Sequence, residues 1–348
     1  MAYRTSGPQL ANINGAFLMS TLFSEDPADP SVHEYKNPLV IYHGNCLDGF
    51  TAAWCFWNAQ DEYEVIYDFH AGVYNDPPPD CTGRIVHLVD FSYKRAVVKK
   101  ICKVAHTVYL IDHHKTAIED LMPLQDAGHD DFCPNFFWYV DINRSGAKLA
   151  WDFLHNTLYA ESRSGVLTYS REDPCYREPP LLLDYVEDRD LWRFQLAHSR
   201  EVNASMFSYK YSFEDWDKLM SGSTTELLNH VSAGRAIERK HFKDIEELLD
   251  VCRTTAVIAG HLVPVANLPY TMASDGCHIM AKEWKDGTMF AASYYDTATH
   301  RVYSLRSCDN GMDVSAIAAS YPGGGGHKHA AGFRIPLSNV MKEPMNVS

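Results

Sequence analysis

The residues best suited to chemistry in this sequence come in short clusters, each placed just after an apolar run. His43, with Asp48 five residues on, follows Leu39-Val40-Ile41-Tyr42. Asp90 follows Ile85-Val86-His87-Leu88-Val89, and Asp112-His113-His114 follows Thr107-Val108-Tyr109-Leu110-Ile111. A fourth cluster, Glu187-Asp188-Arg189-Asp190, comes shortly after Leu181-Leu182-Leu183. Carboxylates mixed with imidazoles suit a hard divalent ion such as Mn2+ or Mg2+ better than a thiolate zinc site. Several aspartates gathered in one place repel each other, and a dication relieves that repulsion. Any one of these residues alone would read as a cap or a surface charge. Three successive strand ends of this kind point instead to a metal centre.

The elements that must position them alternate. The run Pro38 to Tyr42 reads as a buried strand, HGNCLDG as a loop, and Phe50 to Trp57 as a helix. Glu64-Val65-Ile66-Tyr67 reads as a second strand, Arg84 to Val89 as a third, and Thr107 to Ile111 as a fourth, with a helix over Lys94–Lys103. Strands alternating with helices predict an α/β fold: a mostly parallel sheet with helices on both faces. Such sheets bind ligands at the carboxyl ends of their strands, where the polar clusters lie. An amphipathic helix is expected over Ser145–Leu158, with Ser145 as a plausible N-cap, and a loop over 162–180. A long helix is expected from Thr225 to Cys252. A strand-rich block then begins at Thr255, continues through Met289–Tyr295 and Val302–Arg306, and ends in GGGGHKHAAGF, Gly323 to Phe333. The division this predicts is a poorly ordered arm over 1–36, an α/β domain over 37–224, a connecting helix over 225–254 and a smaller α+β domain over 255–340.

Composition bounds the partners. The 348 residues are 46% hydrophobic and 22% charged, enough for a sizeable core and about two domains. Net charge is −14, a poor match to long duplex nucleic acid but no obstacle to a short nucleotide in a local basic cleft. Nine cysteines without a CxxC pair argue against a disulfide framework and against structural zinc. No apolar stretch is long enough to span a membrane, and the N-terminus is a weak leader candidate. A cytoplasmic protein with no membrane partner is expected; a homodimer is left open.

HGNCLDG, LVDFSY, IDHH and EDRDLW, in that order, resemble the DHH phosphoesterase superfamily, and GGGGHKHAAGF resembles its C-terminal DHH-associated domain. The resemblance covers about residues 38 to 335. It implies two divalent ions, Mn2+ first and Mg2+ as the alternative, in a cleft between an α/β domain and a smaller C-terminal domain. The implied reaction is hydrolysis of a phosphoester by attack of a metal-activated water. Position by position, it implies that Asp90 bridges the ions, that Asp48, His113 and Asp188 complete one site, and that His43 serves the other. Asp188 is preferred to Asp190 because it follows the apolar run more directly. Asp112 would orient a histidine. His114 would meet substrate phosphate, so that the catalytic group is Asp90, His113 and His114.

In the tail, Gly324, Gly325 and Gly326 could expose amides to an anion, His327 could donate to phosphate, and Arg306 could grip a terminal phosphate by its fork. His329 reads as peripheral, and Arg189 as an ion-pair partner. A phosphate role for the helix N-terminus at Ser145 is secondary. The tryptophans read as core, and Lys94-Arg95 with Lys99-Lys100 as a solvated helix face. One departure stands out. Cys46 occupies the place where the family's first motif carries a further Asp, and the spacing from His43 to Asp48 is one residue short. Water, Asn45 and the thiol itself are the open ways to complete that site.

Three functions follow as expectations. The first is a metal-dependent phosphodiesterase of short oligonucleotides. The second is a phosphohydrolase of another small anion: a cyclic dinucleotide, polyphosphate or pyrophosphate. The third, supported only by Cys46, is a catalytically inactive nucleotide-binding protein.

Overall fold

The computed structural model describes residues 36–74, 76–155, 177–284 and 289–340, with the backbone of Tyr159–Ala160 and Leu167–Thr168. The expected arm, apart from Lys36, and most of the expected 162–180 loop lie outside the described residues. Contacts group the chain into two compact units. The first runs to His113 and adds Pro123–Ser199 and Tyr209–Thr224; the second holds His114–Met122, Arg200–Ser208 and the chain from Thr225 on.

The first unit is built on five parallel strands: β1 (Leu39–His43), β2 (Asp68–Gly72), β3 (Ile85–Val89), β4 (Thr107–Asp112) and β5 (Phe136–Val140), in the order β2-β1-β3-β4-β5. Every residue of β3 and β4 is buried. That explains their continuous apolar sequence, since a strand covered on both faces has no solvent side to mark with polar residues. Helix α1 (Leu47–Asn58) is buried from Leu47 through Phe56, so it is a core element rather than an amphipathic cover. Among the covering helices are α2 (Arg95–Val104) and α4 (Gly146–His155), and the Trp54 and Trp151 rings of α1 and α4 stack at 6.4 Å. The helix α3 (Lys115–Leu121) follows β4 in the chain and belongs to the second unit.

The expected strand over Glu64–Tyr67 is displaced to Asp68–Gly72. Glu64 adopts a left-handed φ of 52° and ends a helical turn over Gln60–Tyr63. The Val65 and Tyr67 amides then donate to the Gln60 carbonyl and side chain, and pairing with the β1 segment starts only where Asp68 N–H reaches the Pro38 carbonyl at 2.9 Å. Beyond α4 come α5 (Leu181–Asp190), α6 (Ser199–Met206) and α7 (Phe213–Met220), and then the long α8 (Thr224–Cys252).

The second unit carries a six-stranded mixed sheet of β6 (Arg253–Ile258), β7 (His261–Asn267), β8 (Phe290–Asp296), β9 (His300–Ser307), β10 (Gly325–His327) and β11 (Ala330–Pro336), in the order β10-β11-β9-β8-β7-β6. Strand alternation sends Phe290 and Ala292 to one face, with Val314, Ile317 and Ala318 of helix α10 (Val314–Ala319). Ala291 points to the other face, with Ile245 and Leu249 of α8 and Cys277, Met280 and Ala281 of helix α9 (Ala273–Glu283). The α/β fold with a second mixed-sheet unit is as expected. Strands β5 and β7 and helix α9 were not anticipated. In β7, Pro264 hides the strand. It pairs with Thr255 of β6, ahead of the point where parallel pairing with β8 begins at Val265, so its missing N–H breaks no ladder bond there. Among the described residues no helix is long and apolar enough to cross a membrane, and the described cysteines are free thiols.

The glycine run before β10 is a packing device. A Cβ on Gly324 would stand 1.9 Å from the Ala318 carbonyl oxygen, a backbone atom that cannot turn aside. Gly324→Ala should therefore destabilise the protein by about 1–3 kcal/mol. Thermal unfolding checks this, and an unchanged Tm would contradict the close packing.

Candidate metal centre

The sheet order places the site. His43 ends β1, Asp90 follows β3 and Asp112 ends β4; these three strands are adjacent and parallel, so their carboxyl ends share one edge. The order 2-1-3-4-5 reverses direction between β1 and β3, and that reversal opens the crevice where doubly wound sheets bind ligands. Asp90 turns out of β3 with a left-handed φ of 53°, a conformation that aspartate tolerates better than most residues. Its amide still donates to the Ile111 carbonyl at 2.9 Å, which ties the turn to β4.

The Asp90 carboxylate faces two ways. Its Oδ1 lies 3.1 Å from His113 Nε2, and its Oδ2 lies 3.6 Å from His43 Nδ1. On the His113 side, the same Nε2 is 3.7 Å from Asp48 Oδ2 and 3.5 Å from Asp190 Oδ2. On the His43 side, the Cys46 sulfur joins His43 and Asp90, with one donor atom from each within 4.8 Å of the others. Asp48, Asp90, Asp112 and His113 are all buried. The Asp112 Oδ1 accepts the His113 backbone N–H at 2.7 Å, so it orients that histidine through the main chain.

Asp48 is held in turn by α4. The Gly146 amide donates to Asp48 Oδ2 at 2.6 Å and the Ala147 amide to Oδ1 at 3.1 Å. These two first-turn amides are therefore engaged, and the suggested phosphate role of this helix N-terminus gives way to a carboxylate of the protein itself. Ser145 Oγ accepts the Lys148 amide at 3.2 Å, as an N-cap does. Gly146 was not singled out from sequence. A Cβ there would stand 2.5 Å from Asp90 Cβ, so only glycine lets α4 deliver its amides this close to both aspartates.

The electrostatics are those of crowded like charge. Burial first, then Asp190 and Asp90, push the Asp48 carboxyl well above its usual range. Burial alone would pull the His113 imidazole down. The Asp90 hydrogen bond and the Asp190, Asp90 and Asp48 charges outweigh it and hold His113 up at about 10 in the metal-free protein. A donor set of oxygens and imidazole nitrogens with excess negative charge fits a divalent cation, which would replace the proton as the counter-charge.

Asp188 and Asp190 exchange places relative to expectation. The structure brings Asp190 to His113, while the buried Asp188 carboxylate accepts the Gln195 and Leu196 amides at 2.9 and 3.2 Å. Asp188 thereby pins a loop in which Trp192 and Phe194 both take left-handed φ values, 56° and 50°, each a strained choice for an aromatic residue. Arg189, expected in an ion pair, lays its guanidinium over the Trp192 ring at 4.2 Å. The signal missed was helical. Leu182, Val186 and Asp190 are spaced four apart on one row of α5, so the face that buries Leu182 and Val186 carries Asp190. Asn45 is exposed, with φ 57°.

Within the second unit, the His114 and His327 rings stack at 4.3 Å, and Thr116 Oγ1 both accepts the Gly326 amide at 3.1 Å and donates to its carbonyl at 3.2 Å. The Gly324 amide donates to the Tyr321 carbonyl, and Gly325–His327 pair with β11. The amides of Gly324 and Gly326 are thus occupied within the protein, and the expected backbone nest for an anion is not built from them. Arg306 donates to Ser274 Oγ and to the Leu305 carbonyl, both at 2.8 Å. His329 bonds Ser307 Oγ at 2.9 Å and is a local structural residue.

Two measurements separate these roles. Asp190→Asn should weaken Mn2+ binding, seen by calorimetry, while leaving the metal-free Tm unchanged or raised, because a like charge is removed. Asp188→Asn should destabilise the metal-free protein by roughly 1–3 kcal/mol, the size of a buried carboxylate–amide contact, and so lower its Tm. The reverse pattern would restore Asp188 to the centre. His113 gives a pH test. Its folded value near 10 against 6.5 means that protonation favours the fold, with full effect below pH 6.5 and loss as pH rises toward 10. The Tm of chelator-treated protein should fall over that interval, and fall less in His113→Gln. Equal slopes would show that His113 carries no extra proton.

No established family profile matches the sequence. The chain is 23% identical over 328 residues to the uncharacterized protein R106 of Acanthamoeba polyphaga mimivirus, covering 89% of this chain and 70% of that protein. Among solved structures it is similar to the pGpG-specific phosphodiesterase PggH from Vibrio cholerae, at 14% identity and TM-score 0.33, covering 88% of this chain and 95% of that one. It is also similar to RecJ from Thermus thermophilus in complex with Mn2+, at 13% identity and TM-score 0.46, covering 93% of this chain and 52% of that one. A third is CDC45 from Entamoeba histolytica, at 8% identity and TM-score 0.43, covering 88% of this chain and 93% of that one. In the order of its motifs and their seating at adjacent strand ends, the chain resembles the DHH phosphoesterase superfamily.

Proposed function

We propose that the protein is a metal-dependent phosphoesterase of the DHH superfamily that hydrolyses short oligonucleotides. The observation that carries this reading is the two-sided Asp90 carboxylate, with Oδ1 toward His113 and Oδ2 toward His43. A carboxylate with distinct donor sets on its two oxygens suits a pair of ions. Asp48, His113 and Asp190 would hold one ion, and His43 the other, with Asp90 shared. Divalent ions held there would supply a nucleophilic water at neutral pH and neutralise charge on the phosphoryl oxygens. Asp112 would keep His113 in register through the main chain, and Gly146 with Ala147 would keep Asp48 aimed. No side-chain nucleophile is needed.

Substrate binding is assigned to the second unit. His114 and His327, stacked at an interplanar angle of 26°, would donate to phosphate oxygens, and Arg306 would supply its guanidinium to a terminal phosphate. The glycine segment would support His327 by close packing rather than bind the anion with its own amides. The acidic net charge supports a short substrate over a long duplex.

The test is purified protein with Mn2+ and a panel of di- to penta-nucleotides, cyclic dinucleotides, polyphosphate and pyrophosphate. Release of nucleoside monophosphates from the oligonucleotides is expected. Turnover of polyphosphate or pyrophosphate alone would move the protein to the small-anion reading. Nucleotide binding with no turnover of any substrate would make it a binding protein. Asp90→Ala should lose nearly all hydrolysis and fold normally, with a larger loss than Asp190→Ala, because it touches both donor sets. Near wild-type turnover in that variant would remove the two-ion reading.

A further inference from the structure

The two sides of the Asp90 carboxylate differ in kind. On one side, Asp48, His113 and Asp190 offer only oxygen and nitrogen. On the other, the donors grouped with Asp90 are His43 and the sulfur of Cys46. We propose that Cys46 ligates the ion on the His43 side as a thiolate, so that the centre has one hard position and one soft position selective for Zn2+, Co2+ or Cd2+ over Mn2+. The inference rests on the reading of a two-ion centre on Asp90 and adds a metal preference to one half of it.

Three observations carry it. First, Cys46 is held from both sides. The Gly44 amide donates to the Gly72 carbonyl at 2.9 Å, which anchors the chain leaving β1, and the Cys46 carbonyl accepts the Phe50 amide at 3.0 Å, which starts α1. The sulfur therefore stands on a fixed strand-to-helix turn, where a ligand is placed before the ion arrives. Second, of the described cysteines only Cys46 belongs to a group of potential metal ligands; Cys55 and Cys277 sit fully buried among core side chains. Third, the His43 side has no other donor of the carboxylate, imidazole or thiol type grouped with His43 among the described residues, apart from Asp90. A divalent ion at that position would meet one nitrogen, one oxygen and one sulfur. That mixture favours borderline-soft metals, whereas a hard ion would meet a mismatched thiol.

Ion binding in this scheme breaks the Cys46 S–H bond, sends the proton to solvent and forms a metal–sulfur bond, with no change of oxidation state. Burial first, and then the Asp90, Asp190 and Asp48 carboxylates, raise the Cys46 thiol in the metal-free protein, and bound ions would neutralise the carboxylate part of that opposition.

The experiment uses the full chain, stripped of metal and titrated with Co2+. A near-ultraviolet thiolate-to-cobalt charge-transfer band should grow in with one of two bound equivalents. In C46S the band should vanish while Co2+ still binds. In C46D the preference for Co2+ over Mn2+ should fall by at least about tenfold, the smallest loss usual even for an outer partner of a ligand. X-ray absorption of the Zn2+-loaded wild type, which needs no variant, should show a sulfur scatterer at about 2.3 Å. Two bound Co2+ ions without the band, an undiminished band in C46S, or zinc with no sulfur neighbour would each overturn the thiolate ligand and leave the two-ion centre standing. Failure of the wild type to bind Co2+ or Zn2+ at all would overturn both.

Discussion

Like charges forced together at the end of a sheet are the constraint on which the rest of this structure depends. Asp48, Asp90 and Asp190 converge on the single imidazole of His113, with Asp48 and Asp90 out of reach of solvent. Burying unpaired carboxylates is costly, and breaking such a cluster by removing its cation costs more than a surface pair ever contributes. A fold that keeps the arrangement must hold each member from outside, and it does. The β4 ladder fixes Asp90, the amides of α4 fix Asp48, and Asp190 is carried at the end of α5 on the row that buries Leu182 and Val186. Against burial for His113 and with it for Asp48, the crowded carboxylates hold both groups toward their protonated forms, as a site short of positive charge must, and a proton is only one way to supply that charge.

The holding elements also explain residues with no chemistry of their own. Gly146 is required because α4 must enter between two aspartates. Asp188 is spent on the loop behind Asp190, where Trp192 and Phe194 adopt strained backbone angles beneath the Arg189 guanidinium. In the second unit, Gly324 gives the chain room to pass the Ala318 carbonyl, and Thr116 clasps Gly326. The glycine-rich stretch thus serves geometry first, and it carries the histidine that stacks on His114.

Much of this was legible in the sequence where a physical signal was local. The fully buried β3 and β4 announce themselves as continuous apolar runs, and the polar residues at their ends mark the sheet edge. The parallel sheet and the second mixed unit follow from the same alternation. Legibility failed where the deciding contact was distant. Edge strand β2 is polar, and the apolar Val65-Ile66-Tyr67 before it bonds back to Gln60. Pro264 disguised β7. The choice between Asp188 and Asp190 turned on treating YVEDRD as a run when it is a helix, whose period puts Asp190 on the row of Leu182 and Val186. The fit of Gly146 against Asp90 joins residues far apart in sequence, and no local pattern could have shown it.

The central claim is that one carboxylate, Asp90, is shared by two ions. Electron paramagnetic resonance of the Mn2+-loaded protein tests it most directly, because two Mn2+ ions bridged by a carboxylate are exchange-coupled and lose the hyperfine pattern of an isolated ion. The account predicts a coupled spectrum at saturating Mn2+ that reverts to the isolated pattern in Asp90→Ala. An isolated-ion spectrum from wild-type protein that holds two Mn2+ ions per chain would contradict it.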